Sequence, residues 1–171
     1  MTEKIKQEKT LLMTRLMTPD MSNFSGKVHG GTILKLLDEA AFTCASRYCK
    51  TYVVTKSLDQ VEFKNPIEVG DLVTFKCNVN YVGKSSMEVG VRVEGERIRE
   101  KKEYHAISSY FTMVSVNEEG RPMEVPRLNF ESETEEKLFE AGKMRCAMRK
   151  EIQARNKELH VSLDNWIKIW S

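Results

Sequence analysis

The stretch that most limits what this chain can fold into runs from Asn23 to Ala45, NFSGKVHGGTILKLLDEAAFTCA. A polar loop ends in Gly30-Gly31 and passes directly into an apolar segment. That segment predicts a helix continuing to about Tyr48. Ile33, Leu34, Leu36, Leu37, Ala40, Ala41, Phe42, Cys44 and Ala45 cover most of its circumference. A helix apolar nearly all round is buried, not laid on a surface. Yet Asp38 stands in its middle, on the face of Leu34, Ala41 and Ala45. Burying a carboxylate without a partner is costly, so this acid needs a reason.

Beyond the helix the chain reads as strands. Val53 to Phe63 carries Val53-Val54 and then Val61 and Phe63, with polar residues between. Asn65-Pro66 breaks the run and Val69-Gly70-Asp71 makes a turn. Leu72 to Val82 alternates, with Val73, Phe75, Cys77, Val79 and Tyr81 on one face. Val82-Gly83-Lys84-Ser85 is a second turn. Met87 to Val93 alternates through Val89, Val91 and Val93, and the charged residues 94–103 form a hairpin end. Tyr104 to Val116 is the longest strand, with Ala106, Ser108, Tyr110, Thr112, Val114 and Val116 expected on one face. A further strand is expected at 10–18, ended by Pro19. Period-2 alternation of this kind implies an antiparallel sheet with one face buried.

The order is therefore strand, long buried helix, four strands. The economical fold wraps the sheet around the helix, an α+β arrangement. An open sheet edge remains, and an open edge invites a second copy. The expected division is a domain over 1–131 and a C-terminal helix and tail over 132–171. Ser132 and Glu135 are spaced as a capping box. A helix at about 134–158 comes next, with an apolar stripe of Leu138, Ala141, Met144, Met148 and Ile152 and a basic run from Lys143 to Lys157. Both tryptophans, Trp166 and Trp170, lie in the tail, where they suggest docking onto something.

Composition excludes several classes. The length of 171 residues suits one domain with a proper core, and a net charge of +2 gives no global case for nucleic acid. The four cysteines, Cys44, Cys49, Cys77 and Cys146, show no paired spacing, so a reducing cytoplasm without disulfides is expected. The opening MTEKIKQEKT lacks the apolar core of a signal peptide, and no apolar run approaches the ~18 residues of a membrane span. No cluster has metal-ligand spacing, and neither a phosphate-binding glycine loop nor a serine-hydrolase elbow is present. No metal or other cofactor is expected.

Chemistry concentrates in the opening stretch. Glycines at a helix start let a ligand approach the backbone, and the free N–H groups there stabilise developing negative charge. Tight packing of the helix start is the plain alternative. Asp38 reads either as a general base or nucleophile, or as a core carboxylate held by a hydroxyl or a basic side chain. Glu39 points about 100° away and pairs with Lys35. His29 precedes the helix, and a lone histidine there is more often structural than catalytic. His105 and His160 have no visible partner.

The loop and helix from Asn23 to Ala40 resemble those of the hotdog-fold acyl-CoA thioesterases, in the branch of the brain-type cytosolic enzyme and small bacterial hydrolases. Three more stretches fit in order: Val61-Glu-Phe63 with Val69-Gly-Asp71; Val82 to Val89; and Phe111 to Val116 together with Glu119 to Pro126. The likeness covers residues 10–145. It implies a curved sheet around the central helix, and protomers paired edge to edge with two sites at their interface, commonly as trimers of dimers. It implies hydrolysis of an acyl-CoA to a carboxylic acid and coenzyme A. Asp38 matches the catalytic carboxylate and Asn23 the active-site asparagine, the two in any one site coming from different protomers. Gly30 and Gly31 match the amides that polarise the thioester carbonyl. Val82, Gly83, Lys84, Ser85 and Ser86 match the turn along coenzyme A. His29 occupies a position that other members fill with phenylalanine. The rival readings are a hotdog hydratase or dehydratase using His29 with Asp38 or Glu39, and a non-catalytic acyl-CoA sensor.

Overall fold

The computed structural model describes residues 7–159. Strands β1 (Thr10–Leu16), β2 (Tyr52–Phe63), β3 (Leu72–Val82), β4 (Ser86–Arg97) and β5 (Lys102–Val116) form one antiparallel sheet in the order β1-β3-β4-β5-β2. Helix α1 (Gly30–Cys49) touches all five strands, and helix α2 (Glu133–Glu158) comes after a long connector. The chain separates into two compact units, the first ending at Asn129 and the second beginning at Phe130. No helix among the described residues is long and apolar enough to cross a membrane.

The core lies between α1 and one face of the sheet. Val73, Phe75, Cys77 and Val79 of β3 lie beside Val89, Val91 and Val93 of β4, all buried. The next strand corrects an expectation. The residues of β5 on this face are Ile107, Ser109, Phe111 and Met113, not the even-numbered set grouped from sequence. The strong apolar side chains of β5 are the odd ones, and burial follows apolar area. Burial of Cys44 and Cys77 in this core pushes each thiol up to about 12.

Helix α1 is also less enclosed than its composition implied. Gly31, Lys35, Glu39, Thr43 and Arg47 form an exposed row at four-residue spacing. Gly30, Leu34, Asp38, Phe42 and Ser46 form a half-buried row beside it. Lys35 and Glu39 pair at 3.8 Å across the exposed row, as expected from their spacing. The helix ends at Lys50, whose left-handed φ of 56° lets its N–H reach Ser46 O.

Strands β1 and β2 are the sheet edges. At its unpaired edge β2 runs twelve residues and leaves Tyr52, Val54, Leu58 and Phe63 exposed. At the far end of the sheet, buried Asp71 accepts hydrogen bonds from Tyr104 Oη and Glu68 N. The Tyr104 ring reaches it by lying across Gly95 of β4, where an added Cβ would come within 2.4 Å of the ring. Lys27 then bonds Glu68, which fastens the 23–28 loop to the same corner.

Gly95→Ala is expected to displace that ring from Asp71 and to cost about 1–3 kcal/mol, read as a lower urea midpoint with unchanged slope.

Candidate active site

The half-buried row of α1 faces β2, which runs antiparallel to it along the sheet edge. Near the middle of the row Thr55 Oγ1 donates to Asp38 Oδ1 at 2.6 Å. Among the described residues Oδ2 of Asp38 has no donor, and the residue stays half-exposed. Its sequence puzzle is thereby answered in physical terms: the carboxylate has a hydroxyl partner and keeps one side toward solvent. Thr55 escaped the sequence reading. Two register shifts in β2, at Thr55/Ser57 and Leu58/Gln60, break its alternation, so Val53, Thr55, Leu58, Val61 and Phe63 face inward at uneven spacing. Val53-Val54-Thr55 read as sequence gives no sign that the threonine turns to the helix.

The start of α1 is a second polar cluster. Asn23 Oδ1 accepts from Ser25 N at 2.9 Å, Ser25 Oγ at 2.7 Å and Lys27 N at 3.1 Å. The carbonyl of the side chain is thus consumed by its own loop, which leaves the amide NH2 as the group to offer a ligand. The loop is closed by Asn23 N to Lys27 O and held by Val28 N to Ile67 O and His29 N to Met21 O.

His29 is the N-cap of α1. Its Nδ1 accepts from Gly31 N at 2.9 Å. A ring nitrogen that accepts is unprotonated, so the neutral imidazole caps the helix. The two helix-start amides therefore differ. The N–H of Gly31 is directed at His29, and the N–H of Gly30 has no acceptor among the described residues. Gly30 and Asn23 both line a cavity of about 350 Å³ floored by Ile33, Ile67 and Phe63. The Phe63 ring stands 3.8 Å from where a Cβ on Gly30 would be. Phe63 was read as a strand residue only, and its place over Gly30 follows from the same uneven register.

The turn between β3 and β4 is at the Asp38 end. Met87, just past the turn, pairs with Met113, and Met113 pairs with Thr55, so these three form a row across the sheet. Two strand spacings make the separation about 10 Å. Gly83 N bonds Ser86 O at 2.8 Å, while Lys84 O and Ser85 O accept from Val125 N and Ser115 N. Val82 is buried and sends its side chain into the core. Of the other histidines, His105 lies on β5 with Nε2 2.9 Å from Ser108 Oγ. His160 and the two tail tryptophans lie outside the described residues.

The two clusters are separated along one helix. Gly30 and Asp38 are eight residues apart, about 12 Å at 1.5 Å per residue. A single carbonyl group cannot contact both within one chain.

The thioesterase superfamily matches this chain over residues 25–102. The protein VdlD of Helicobacter pylori is 45% identical over 139 residues, 81% of this chain and 79% of that protein. The uncharacterized acyl-CoA thioester hydrolase YkhA of Bacillus subtilis is 34% identical over 145 residues, covering 85% of this chain and 84% of that protein. The mouse cytosolic acyl coenzyme A thioester hydrolase is 41% identical over 135 residues, 78% of this chain but 35% of the longer mouse protein. Among solved structures, the acyl-CoA hydrolase of Staphylococcus aureus, in complex with butyryl coenzyme A and coenzyme A, superposes with a TM-score of 0.80 at 32% identity, covering 89% and 93% of the two chains. A hexameric acyl-CoA thioesterase gives a TM-score of 0.81 at 35% identity, covering 85% and 93%. Similarity that runs through nearly the whole length of a single-domain hydrolase, on the same fold, leaves one assignment: the chain belongs to the acyl-CoA thioester hydrolases of the thioesterase superfamily.

Proposed function

We propose that this protein hydrolyses acyl-CoA thioesters to a carboxylic acid and coenzyme A, with Asp38 as its reacting carboxylate. The observation that carries this reading is the 2.6 Å bond from Thr55 to Asp38. It fixes one carboxylate oxygen and leaves the other without a donor on a half-exposed residue. A thioester carbonyl needs a donor at its oxygen and an activated nucleophile at its carbon. The Gly30 N–H, at the positive end of the α1 dipole, suits the first role, with the Asn23 amide beside it. Asp38 suits the second, either by deprotonating water or by attacking the carbonyl to give an anhydride that water then opens. Neither route calls for a metal or an organic cofactor beyond the coenzyme A of the substrate. The turn Val82–Ser86 serves the coenzyme A moiety in this reading.

The use of His29 Nδ1 as a helix cap disfavours the hydratase reading, which needs that ring for proton transfer. The mouse relative is cytosolic by name, and that, with the four free cysteines, supports a cytoplasmic location.

The separation of about 12 Å between Gly30 and Asp38 gives the working unit. A site is completed when Gly30 and Asn23 of one protomer meet Asp38 and Thr55 of another. The unpaired edge of β2 is the surface for that pairing, and trimers of such dimers are the expected assembly, a number of subunits in keeping with the hexameric relative.

Asp38→Asn is expected to keep the fold and lower hydrolysis by about 10²–10⁴-fold, the range of a lost general base. Thr55→Val should lower kcat about tenfold by removing one hydrogen bond to a charged group. Both are read by release of free thiol from acyl-CoAs of graded chain length, and full activity of Asp38→Asn would remove Asp38 from the reaction. Mixing and reassociating Asn23→Ala protein with Asp38→Asn protein is expected to restore activity that neither has alone, because mixed dimers contain one intact site. No recovery despite demonstrated subunit exchange would place both residues in one protomer's site.

A further inference from the structure

The 23–28 loop presents Asn23 to the cavity, and what fixes that loop fixes the direction of the amide. Its apex, Phe24 to Gly26, is exposed, and Gly26 takes a left-handed φ of 75° to make the return. Asn23 N bonds Lys27 O at 2.7 Å and Gly26 N bonds Asn23 O at 3.0 Å, which closes the loop on itself. Of the three donors to Asn23 Oδ1, two belong to Ser25 at the exposed apex. The third is the backbone N–H of Lys27, a residue bridged to Glu68 across the next segment.

The Lys27 ammonium donates to Glu68 Oε1, and Val28 N to Ile67 O at 3.0 Å is a backbone tie beside that pair. Glu68 is itself held at several points. Its N–H donates to Asp71 Oδ2 at 3.0 Å, and its carbonyl accepts from Asp71 N at 3.2 Å. Its carboxylate lies 3.4 Å from Arg97 Nη2 at the end of β4. The Arg97 guanidinium stands 5.8 Å from the centre of the Tyr104 ring, and Tyr104 Oη donates to Asp71. The hydrogen bond and the charge of Lys27, with Arg97 assisting, hold the Glu68 carboxyl below its ordinary range, so the pair is ionised at neutral pH.

We propose that Glu68 is a positioning residue for hydrolysis: by holding Lys27 it fixes the backbone N–H that orients the Asn23 side chain, and so keeps the Asn23 amide beside the Gly30 N–H. The proposal rests on the reading of Asn23 as a donor to the thioester oxygen. Asn23, Lys27 and Gly30 line one cavity, whereas Glu68 lines a separate hollow with Arg97 and Glu100. Glu68 therefore acts on the amide through the loop and not by touching the substrate. A half-exposed ion pair adds little to global stability. Its weight here is local, because a donor serves a developing oxyanion only while it is held in place beforehand.

The test joins kinetics to hydrogen exchange in the full assembled protein. Glu68→Ala is expected to lower kcat about tenfold, less than the about 10²–10³-fold of a whole donor lost, with KM changed by less than about twofold. Glu68→Gln, which keeps an acceptor and loses the charge, should fall between. Mass-spectrometric exchange of the peptide covering residues 22–28 should be several-fold faster in Glu68→Ala, with the circular dichroism retained. In an Asn23→Ala background, Glu68→Ala should slow kcat no further, because the amide through which it acts is gone. Glu94→Gln, which breaks the pair with Lys76 on the same sheet, should alter neither readout. Exchange unchanged in Glu68→Ala overturns the proposal, as does a double variant slowed by the product of the two single effects. Full activity of Asn23→Ala together with fast exchange in Glu68→Ala overturns the reading of Asn23 instead, and reduces Glu68 to a structural tie.

Discussion

The hydrogen bond between Thr55 and Asp38 is where the demands of the core and of the chemistry meet. A carboxylate taken fully out of water costs far more than one hydroxyl can return, since a hydrogen bond to a charged group contributes about 1.5–3 kcal/mol. Asp38 is therefore tolerable on α1 only at the margin of the core. The helix meets this by dividing its circumference into a buried set, a half-buried row and an exposed row. The half-buried row contains both Gly30 and Asp38. The same compromise that keeps the acid tolerable keeps it accessible.

The uneven register of β2 supplies the other half of that bond. With strict alternation past Val53, Thr55 and Ser57 would share the inner face and Leu58 would point outward. The two shifts instead place Thr55, Leu58, Val61 and Phe63 inward, opposite Met113, Phe111, Ser109 and Ile107. Two of these inward residues find partners on the helix margin: Thr55 meets Asp38, and Phe63 lies against Gly30. Bulges at a sheet edge are common devices for aiming a side chain, and here they aim two at separate points of the half-buried row of α1.

Much of the fold was legible because its signals are local. The alternation in β3 and β4, the apolar run of α1 and the capping spacing of α2 each need only neighbours in sequence. Gly30, Gly31 and Asp38 could be singled out because two glycines and an acid are unusual beside an apolar helix, whereas Asn23 was named only through the family resemblance. Thr55 and Phe63 could not, because their roles depend on a register set by hydrogen bonds to β5. The face of β5 was assigned to the wrong parity for a related reason. Ser109 and Ser115 interrupt its apolar set, and the even set contains Ala106, Tyr110 and Val114, so the pattern alone does not choose. The difference between Gly30 and Gly31 was also invisible, since it rests on which amide the His29 ring takes.

Helix α1 finally acts as a ruler. Its geometry sets a spacing of about 12 Å between the Gly30 amide and Asp38, the two groups proposed to act on the thioester, and it packs against five strands. No side-chain motion closes that distance within a chain. In the proposed mechanism, bringing the two groups to one carbonyl calls for a second helix laid alongside in the opposite direction, so that each start faces the other's middle. A two-fold arrangement does this at two places at once, because an isologous contact repeats every pairing. In the proposed dimer the open β2 edge is the element whose pairing sets the two helices in register, and catalysis and assembly rest on the same strand.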